Sequence, residues 1–359
     1  MQGLQNLGST CAINSLIQII CREPHLRNAL IHYDLPENSL SGNLKEILYL
    51  MHNQNKSLAP GKFVTKLFET MNGIFQQGEQ IDIGELWTFL FDKIATELNT
   101  IPNAHQELSY IDNMNTDETE LAITYKDDYE YKKALINSKQ LQHKYDCLFR
   151  KFNENKTSKW LETSQGFFLN IIKCKDCGNV LYNFEPFTSI PLDIPDDNHH
   201  PTLTNMLRNF LKEEKRKGDW TCSKCNIYTE YTKSIKIWKL PPVVVFIVKR
   251  FANYSSKNNK PVDVNKTICF KRGSILSKID DDISYNLSSL GMHFGSLHGG
   301  HYCAMCNIDE DFKTRPDLEK IAFYDDINIS QVNREKLYQI IEKNTDGYMI
   351  VYSTSFLST

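Results

Sequence analysis

The chain has 359 residues, of which 41% are hydrophobic and 24% charged, and its formal net charge is −3 at pH 7. This length suits two average domains or one large catalytic domain, and the balance of charges excludes a nucleic-acid binder with a broad basic face. The longest apolar run, residues 243–248, falls short of the ~18 residues of a membrane span and predicts a buried strand, and no secretory signal is visible.

The ten cysteines favour a reducing compartment over a disulfide framework. Two pairs have the Cys-x-x-Cys spacing of metal ligands, and another cysteine lies where a nucleophile is expected, so both uses need reduced thiols. We expect the protein in the cytoplasm, the nucleus or both, as a monomer without nucleic-acid or membrane partners.

The N-terminal segment predicts a loop that passes into a helix with Cys11 in its first turn. Thr10 is the expected N-cap, Pro24 ends the segment, and helical spacing relates Ile13, Leu16, Ile17 and Ile20. Cys11 falls off this apolar stripe, and the positive end of the helix dipole lowers the pKa of a thiol placed there. Cys11 is therefore a candidate nucleophile, the alternative being an inert structural cysteine.

Residues 1–98 predict mainly helices, with apolar spacing in 43–51, 62–71 and 83–98. Asp82 and Glu85 are three positions apart, so a helix would present both carboxylates on one face. Taken alone, such a pair predicts a solvated surface.

Residues 101–160 predict an insertion. An acidic, sparsely apolar stretch (101–130) comes first, followed by a basic stretch (131–160) with a partial helical stripe. We expect a loose acidic loop and then a helix, whose charges solvate a surface in preference to docking a partner.

Two Cys-x-x-Cys pairs predict a structural zinc site. Cys174 and Cys177 are separated by 44 residues (178–221) from Cys222 and Cys225, and each pair turns between strand-like segments. Four thiolates satisfy tetrahedral zinc and leave no open position; a remnant site without metal is the alternative. In a third pair, Cys303 and Cys306, residues three apart on a strand point to opposite faces, which favours core packing.

Near the C-terminal end, paired glycines precede a candidate base. Gly299 and Gly300 allow close backbone approach to His301, which begins an alternating strand. A second short strand ends in two carboxylates, and pleat alternation directs Asp325 toward the imidazole and Asp326 away from it. A cysteine, a histidine and an aspartate in this order suit nucleophilic catalysis.

These motifs together resemble the ubiquitin-specific proteases, a papain-like family of deubiquitinating enzymes. The resemblance spans nearly the whole chain except about 100–163, and five motifs occur in the family's order. The matching segments are residues 3–18, 80–86, 183–192, 240–251, and 293–304 together with 323–326. Departures are Ser9, where Asn is commoner, Ala12 in place of an aromatic residue, and Ile81 in place of a glutamine.

The resemblance implies an α+β, papain-like fold in a single catalytic domain. A mainly helical thumb would occupy residues 1–165, zinc-bearing β fingers 166–240, and a β-rich palm with the histidine and aspartate 241–359. The implied activity is that of a deubiquitinating thiol isopeptidase that cleaves after the C-terminal Gly-Gly of ubiquitin. A protease for a ubiquitin-like modifier and a catalytically idle ubiquitin-binding module are the alternatives.

The resemblance also implies roles for individual residues. Cys11, His301 and Asp325 would be catalytic, while Asn6 would donate to the oxyanion and Asp326 would support it or substitute for Asp325. For substrate binding, Asp82 and Glu85 would pair with arginines of the ubiquitin tail, Gly299 and Gly300 would narrow its channel, and residues 253–260 would form a mobile loop over it. The implied partners are ubiquitin and ubiquitinated proteins.

Overall fold

The computed structural model describes residues 2–53, 56–108, 139–196, 200–251, 256–270, 283–296, 299–308 and 320–354. Within these ranges a helical N-terminal part packs on a large, mainly antiparallel sheet, and a smaller sheet carries the Cys-x-x-Cys pairs. No helix in these ranges has the length and apolar character needed to cross a membrane.

The first five helices pack together, with α1 at the centre of the group. They are α1 (Cys11–Arg22), α2 (Pro24–Ile31), α3 (Leu40–Asn53), α4 (Gly61–Met71) and α5 (Ile83–Leu98). Every α1 residue from Cys11 to Cys21 is buried, because other helices cover one side of α1 and the large sheet covers the other. The expectation that Cys11 lies off the buried face is therefore wrong, since α1 has no exposed face over this length.

The large sheet contains eight strands: β5 (Ile190–Leu192), β8 (Val243–Val248), β9 (Thr267–Phe270), β10 (Ile283–Ser296), β11 (Gly299–Asn307), β12 (Ile321–Asp325), β13 (Asn328–Gln331) and β14 (Gly347–Ser353). Their order is β13-β12-β11-β10-β14-β8-β5, with β9 paired to β10. Neighbouring strands are antiparallel except β5 with β8.

Both faces of this sheet are covered. Val243 and Val245 pack with the N-terminal helices, while Val244 and Phe246 belong to a second cluster on the opposite face. That second cluster includes residues of α8 (Leu203–Phe210) and α9 (Arg334–Glu342). The prediction of a buried strand at 243–248 is thus confirmed, and the continuous apolar run reflects burial on both faces.

The smaller sheet has the order β4-β3-β7-β6, from β3 (Gly166–Cys174), β4 (Val180–Phe187), β6 (Glu214–Thr221) and β7 (Tyr228–Lys239). The helix α6 (Lys139–Phe152) covers one of its faces, because Leu141 and Tyr145 are buried against strand residues such as Phe167 and Phe184.

Several described residues of the predicted insertion belong to the core, among them Leu141, Tyr145 and Trp160. The short strands β1 (Gln106–Glu107) and β2 (Lys156–Thr157) pair with each other at its base. The helix α7 (Lys159–Ser164) then buries Trp160 against Trp87 and Phe91. Most of the predicted acidic loop, residues 109–130, lies outside the described residues.

Candidate active site

His301 and Asp325 form the central pair of the site. Nε2 of His301 lies 2.6 Å from Oδ1 of Asp325, and the two side chains are 40% and 43% exposed. His301 lies near the start of β11 and Asp325 ends β12, and the pairing of Ala304 with Tyr324 sets these strands side by side. The structure thus brings together the two side chains that the sequence placed in contact.

Asp326 binds the N-terminal segment of the chain, and its place in a turn after β12 means that strand alternation does not decide its direction. Its backbone φ is 51° in the turn between β12 and β13. Its carboxylate accepts hydrogen bonds from Nδ2 of Asn6 at 2.8 Å and from Nδ2 of Asn14 at 2.7 Å, and its carbonyl accepts one from the N–H of Leu4 at 2.9 Å. Asp326 therefore anchors the loop before α1 to the sheet.

The loop from Asn6 to Thr10 is a tight turn held by the Asn6 side chain. Oδ1 of Asn6 accepts hydrogen bonds from the backbone N–H groups of Gly8 at 3.0 Å and Thr10 at 3.2 Å. Thr10 occupies the N-cap position, but its side chain does not cap the helix. Ser9 has a φ of 53°, a left-handed conformation that Asn adopts more readily than Ser.

Cys11 is buried, and its environment opposes ionisation. The pKa of the Cys11 thiol is raised, first by burial and then by the charge of Asp326, although backbone N–H groups, foremost that of Tyr302, lower it. The sequence predicted a lowered pKa from the helix dipole alone, but desolvation outweighs it here. The hydrogen bonds of the described residues include none between Cys11 and His301. Tyr302, whose backbone lowers the pKa of Cys11, follows His301 in β11.

Asp82 and Glu85 do not form the predicted pair on a helical face. Asp82 precedes α5 as its N-cap, and its Oδ1 accepts from the N–H groups of Gly84 at 2.8 Å and Glu85 at 3.0 Å. Its other oxygen lies 3.5 Å from the hydroxyl of Tyr302. Glu85 is exposed, and partial burial followed by the charge of Asp82 raises its pKa. Of the two carboxylates, Glu85 is therefore the more exposed.

The glycines before His301 have different surroundings. The N–H of Gly300 donates to Oε1 of Gln80 at 3.1 Å, and Nε2 of Gln80 donates back to the carbonyl of Gly300. A Cβ on Gly300 would lie 2.1 Å from Nε2 of His293, whereas one on Gly299 would meet nothing within 4 Å. Gly300 is therefore sterically required and Gly299 is not.

His293 is a second histidine behind the site. It is buried, its ring contacts Phe251 and Tyr302 at centroid distances of 5.2 and 4.7 Å, and its Nδ1 has no hydrogen-bond partner among the described residues. Burial, then the charge of Lys257, lowers its pKa. These features suit a neutral packing group that positions Tyr302 and Gly300.

The predicted mobile loop at 253–260 is anchored where the structure describes it. The side chain of Lys257 is 4% exposed, and its Nζ lies 2.6 Å from Oδ1 of Asp346. Asn258 contributes its carbonyl to the buried Arg250 at 2.9 Å. The rest of the prediction, residues 253–255, lies outside the described residues.

The four predicted metal ligands converge at the tips of two hairpins. Their sulfur atoms all lie within 4.8 Å of one another, with 3.9 Å between Cys174 and Cys225 and 3.6 Å between Cys177 and Cys222. A tetrahedral ion with metal–sulfur bonds of about 2.3 Å requires sulfur separations of about 3.8 Å. This donor set can therefore hold a metal ion.

The third Cys-x-x-Cys pair is split between the two faces of β11, as predicted. Cys306 is fully buried in the core beneath the N-terminal helices. Cys303 instead lies with His301 and Asp325, a neighbour that sequence reasoning missed, as it missed Asn14.

Comparison with known proteins gives one family. The family model described as ubiquitin carboxyl-terminal hydrolase matches residues 2–352. Ubiquitin carboxyl-terminal hydrolase 2 of Gallus gallus is 28% identical over 373 residues, covering 98% of this chain and 93% of that protein. Ubiquitin carboxyl-terminal hydrolase Usp2 of Drosophila melanogaster is 26% identical over 315 residues, covering 85% of this chain and 31% of that protein. The chain thus spans about a third of the length of the fly protein. It likewise covers 35% of ubiquitin carboxyl-terminal hydrolase 4 from Saccharomyces cerevisiae.

Two solved structures share the fold. A SAGA DUB module of Ubp8, Sgf11, Sus1 and Sgf73 bound to monoubiquitin matches with a TM-score of 0.68 and 20% identity, covering 100% of this chain and 70% of that chain. A yeast SAGA DUB module with a variant Sgf73 matches with a TM-score of 0.66 and 22% identity, covering 100% and 69%. The predicted mixed fold of helices and sheets is confirmed.

Proposed function

The chain belongs to the ubiquitin carboxyl-terminal hydrolase family, and on that premise we propose that it is a cysteine-type isopeptidase that releases ubiquitin from conjugates or precursors. The bond cleaved is the one after the C-terminal Gly-Gly of ubiquitin. One observation carries the proposal: Nε2 of His301 lies 2.6 Å from Oδ1 of Asp325. The backbone N–H of Tyr302, the residue after His301, lowers the pKa of the Cys11 thiol.

Each of these groups has a step in amide hydrolysis. The sulfur of Cys11 attacks the carbonyl carbon, His301 takes the thiol proton and passes it to the leaving amine, and Asp325 orients and stabilises the imidazolium. Water then hydrolyses the thioester, with His301 as the base. Because burial raises the pKa of the Cys11 thiol, its attack on the carbonyl requires a base such as His301.

Asn6 is the proposed oxyanion donor. Its side-chain amide has two N–H groups, and one of them is held by Asp326 at 2.8 Å. The second N–H remains for the negative oxygen of the tetrahedral intermediate, where a fixed donor acts most strongly. Asp326 thus acts through Asn6 as a positioning residue.

The metal of the four-cysteine cluster is proposed to be zinc. Four thiolates at tetrahedral spacing suit Zn²⁺, and a closed set of this kind ties structure together without catalysing a reaction. Here the ion would join the tips of the β3–β4 and β6–β7 hairpins. Since reduced thiols are needed, we also place the protein in the cytoplasm or nucleus.

Ubiquitin is the proposed substrate, and ubiquitinated proteins are the proposed partners. Reciprocal hydrogen bonds between Gln80 and Gly300 join the segment before α5 to β11. We propose that the extended C-terminal tail of ubiquitin binds against this junction. Exposed Glu85 is the carboxylate available to an arginine of that tail.

Covalent capture tests the proposal directly. The purified protein is treated with ubiquitin that carries a C-terminal electrophile, and the modified cysteine is mapped by mass spectrometry. We expect modification at Cys11, none in Cys11→Ala, and full modification in Cys269→Ser, which removes an exposed thiol elsewhere. Modification at another cysteine would overturn the mechanism, and faster capture by a ubiquitin-like modifier would overturn the substrate.

A further inference from the structure

Cys303 places a third potential metal ligand beside His301 and Asp325. His301 and Cys303 are two positions apart in β11 and therefore share one face of the sheet. Asp325 lies one position beyond the last paired residues of β11 and β12, Ala304 and Tyr324, and so faces Cys303. A ring nitrogen of His301, Sγ of Cys303 and an oxygen of Asp325 all lie within 4.8 Å of one another.

This donor set has a definite metal preference. A thiolate, an imidazole and a carboxylate together favour Zn²⁺ over hard cations such as Mg²⁺ or Ca²⁺. Three protein ligands leave a fourth position open, unlike the closed four-cysteine cluster. Metal–ligand bonds of about 2.0–2.3 Å require a nitrogen–oxygen separation of about 3.4 Å.

The geometry allows that adjustment. His301 and Asp325 are now 2.6 Å apart, so their contact would have to widen by about 0.8 Å, and the ion would replace the hydrogen bond between them. Both side chains are about two-fifths exposed, which leaves them accessible to an ion from solvent. Cys303 is only 2% exposed and is fixed in the strand, so it supplies the rigid corner of the site.

We propose that His301, Cys303 and Asp325 form a second, inhibitory metal site that takes Zn²⁺. Its regulatory effect rests on the hydrolase function proposed above, whereas the binding itself does not. An ion bound through Nε2 of His301 leaves the ring proton on Nδ1, the nitrogen available to Cys11. That nitrogen then has no lone pair to accept the thiol proton, and hydrolysis stops. Chelation reverses the inhibition.

The first test measures inhibition. Protein loaded with metal at the four-cysteine cluster hydrolyses a fluorogenic ubiquitin substrate while free Zn²⁺ is varied with a metal buffer. Each variant is normalised to its own rate in chelator. Loss of one thiolate ligand in Cys303→Ser or Cys303→Val is expected to raise the half-inhibiting Zn²⁺ concentration at least about tenfold, and Cys269→Ser should match the unmodified protein. An unchanged value in both Cys303 variants would mean that Zn²⁺ acts through Cys11 alone, and the proposal would be wrong.

The second test does not depend on catalysis. In the Cys11→Ala background, Cd²⁺ is titrated into metal-loaded protein and followed by ultraviolet thiolate-to-metal absorption and by equilibrium dialysis. We expect one more bound ion per chain than in the Cys11→Ala, Cys303→Ser double variant. Equal stoichiometry would overturn the site even if the enzyme is active. Conversely, an extra ion bound by a protein that cleaves no ubiquitin would support the site and reject only the function.

Discussion

The side-chain amide of Asn6 donates a 2.8 Å hydrogen bond to the carboxylate of Asp326, across 320 positions of sequence. The Asp326 carboxylate also accepts a hydrogen bond from Nδ2 of Asn14, which lies on the buried helix that carries Cys11. Two adjacent aspartates therefore have separate tasks: Asp325 contacts the imidazole, and Asp326 orients the proposed oxyanion donor.

This division predicts opposite titration shifts. The charge of Asp326 raises the pKa of Cys11, so Asp326→Asn should move the midpoint of Cys11 alkylation to lower pH. In Asp325→Asn the imidazolium loses its stabilising carboxylate, so the thiolate is less favoured and the midpoint should move to higher pH. Alkylation rates measured against pH in both variants check this, and shifts in the same direction would show that the roles are wrongly divided.

Asn6→Ala should lower kcat by roughly 10²–10³, the usual cost of one oxyanion donor. KM should barely change, because the interaction exists only in the transition state. Steady-state kinetics on a fluorogenic ubiquitin substrate measure both constants. A rise in KM at unchanged kcat would instead assign Asn6 to substrate binding.

Gly300→Ala and Gly299→Ala form a matched pair. The new Cβ at position 300 would lie 2.1 Å from the His293 ring, while that at 299 meets nothing within 4 Å. Because a displacement of about 1 Å in a catalytic site can cost ~10²-fold, Gly300→Ala should lose most activity and Gly299→Ala should keep it. Equal losses in the two variants would point to a tail channel that needs glycine at both positions.

Metal analysis should find about one zinc ion per chain, held by the four-cysteine cluster. Cys222→Ser should lose the ion, lower the thermal midpoint and weaken ubiquitin binding, because metal binding contributes to folding of the hairpin tips. Cys269→Ser is the control for removal of an exposed thiol. Active, freshly folded protein without zinc would refute this assignment.

Replacement of residues 109–138 by a short linker should leave hydrolysis of a minimal substrate nearly unchanged. Steady-state kinetics measure this, and a large loss of turnover would place 109–138 in the catalytic core.

Tyr145→Ala, by contrast, should destabilise the fold by roughly 3–5 kcal/mol, as for other large aromatic truncations in a core. The reason is that Tyr145 packs edge-on against Phe167 and Phe184. Chemical denaturation checks this, with Tyr49→Ala as an exposed control (63% exposed).

The sequence located the groups whose signals are local. Cys11 follows a loop at a helix start, His301 follows paired glycines at a strand start, and each Cys-x-x-Cys pair forms its own turn. The sequence also paired Asp325 with His301, although the catalytic roles stay predictions.

Features created by distant parts of the chain could not be predicted in this way. Helical periodicity shows one apolar face, whereas α1 is covered on its second side by β11, about 290 residues away in sequence. The same burial reverses the expected shift of the Cys11 pKa. Gln80 meets Gly300 only through strand placement, and Lys257 looks like a solvated loop residue until Asp346 is placed beside it.

The Asn6–Asp326 contact also bears on how the protein is made. Chains emerge from the ribosome N-terminal end first, so α1 and its cysteine are synthesised long before the strands that cover them. Until β11 and β12 have emerged, the apolar surface of α1 that faces the sheet has nothing to pack against, and Asn6 has no carboxylate to hold its amide. The site around Cys11 is therefore complete only after β11, β12 and Asp326 have been synthesised.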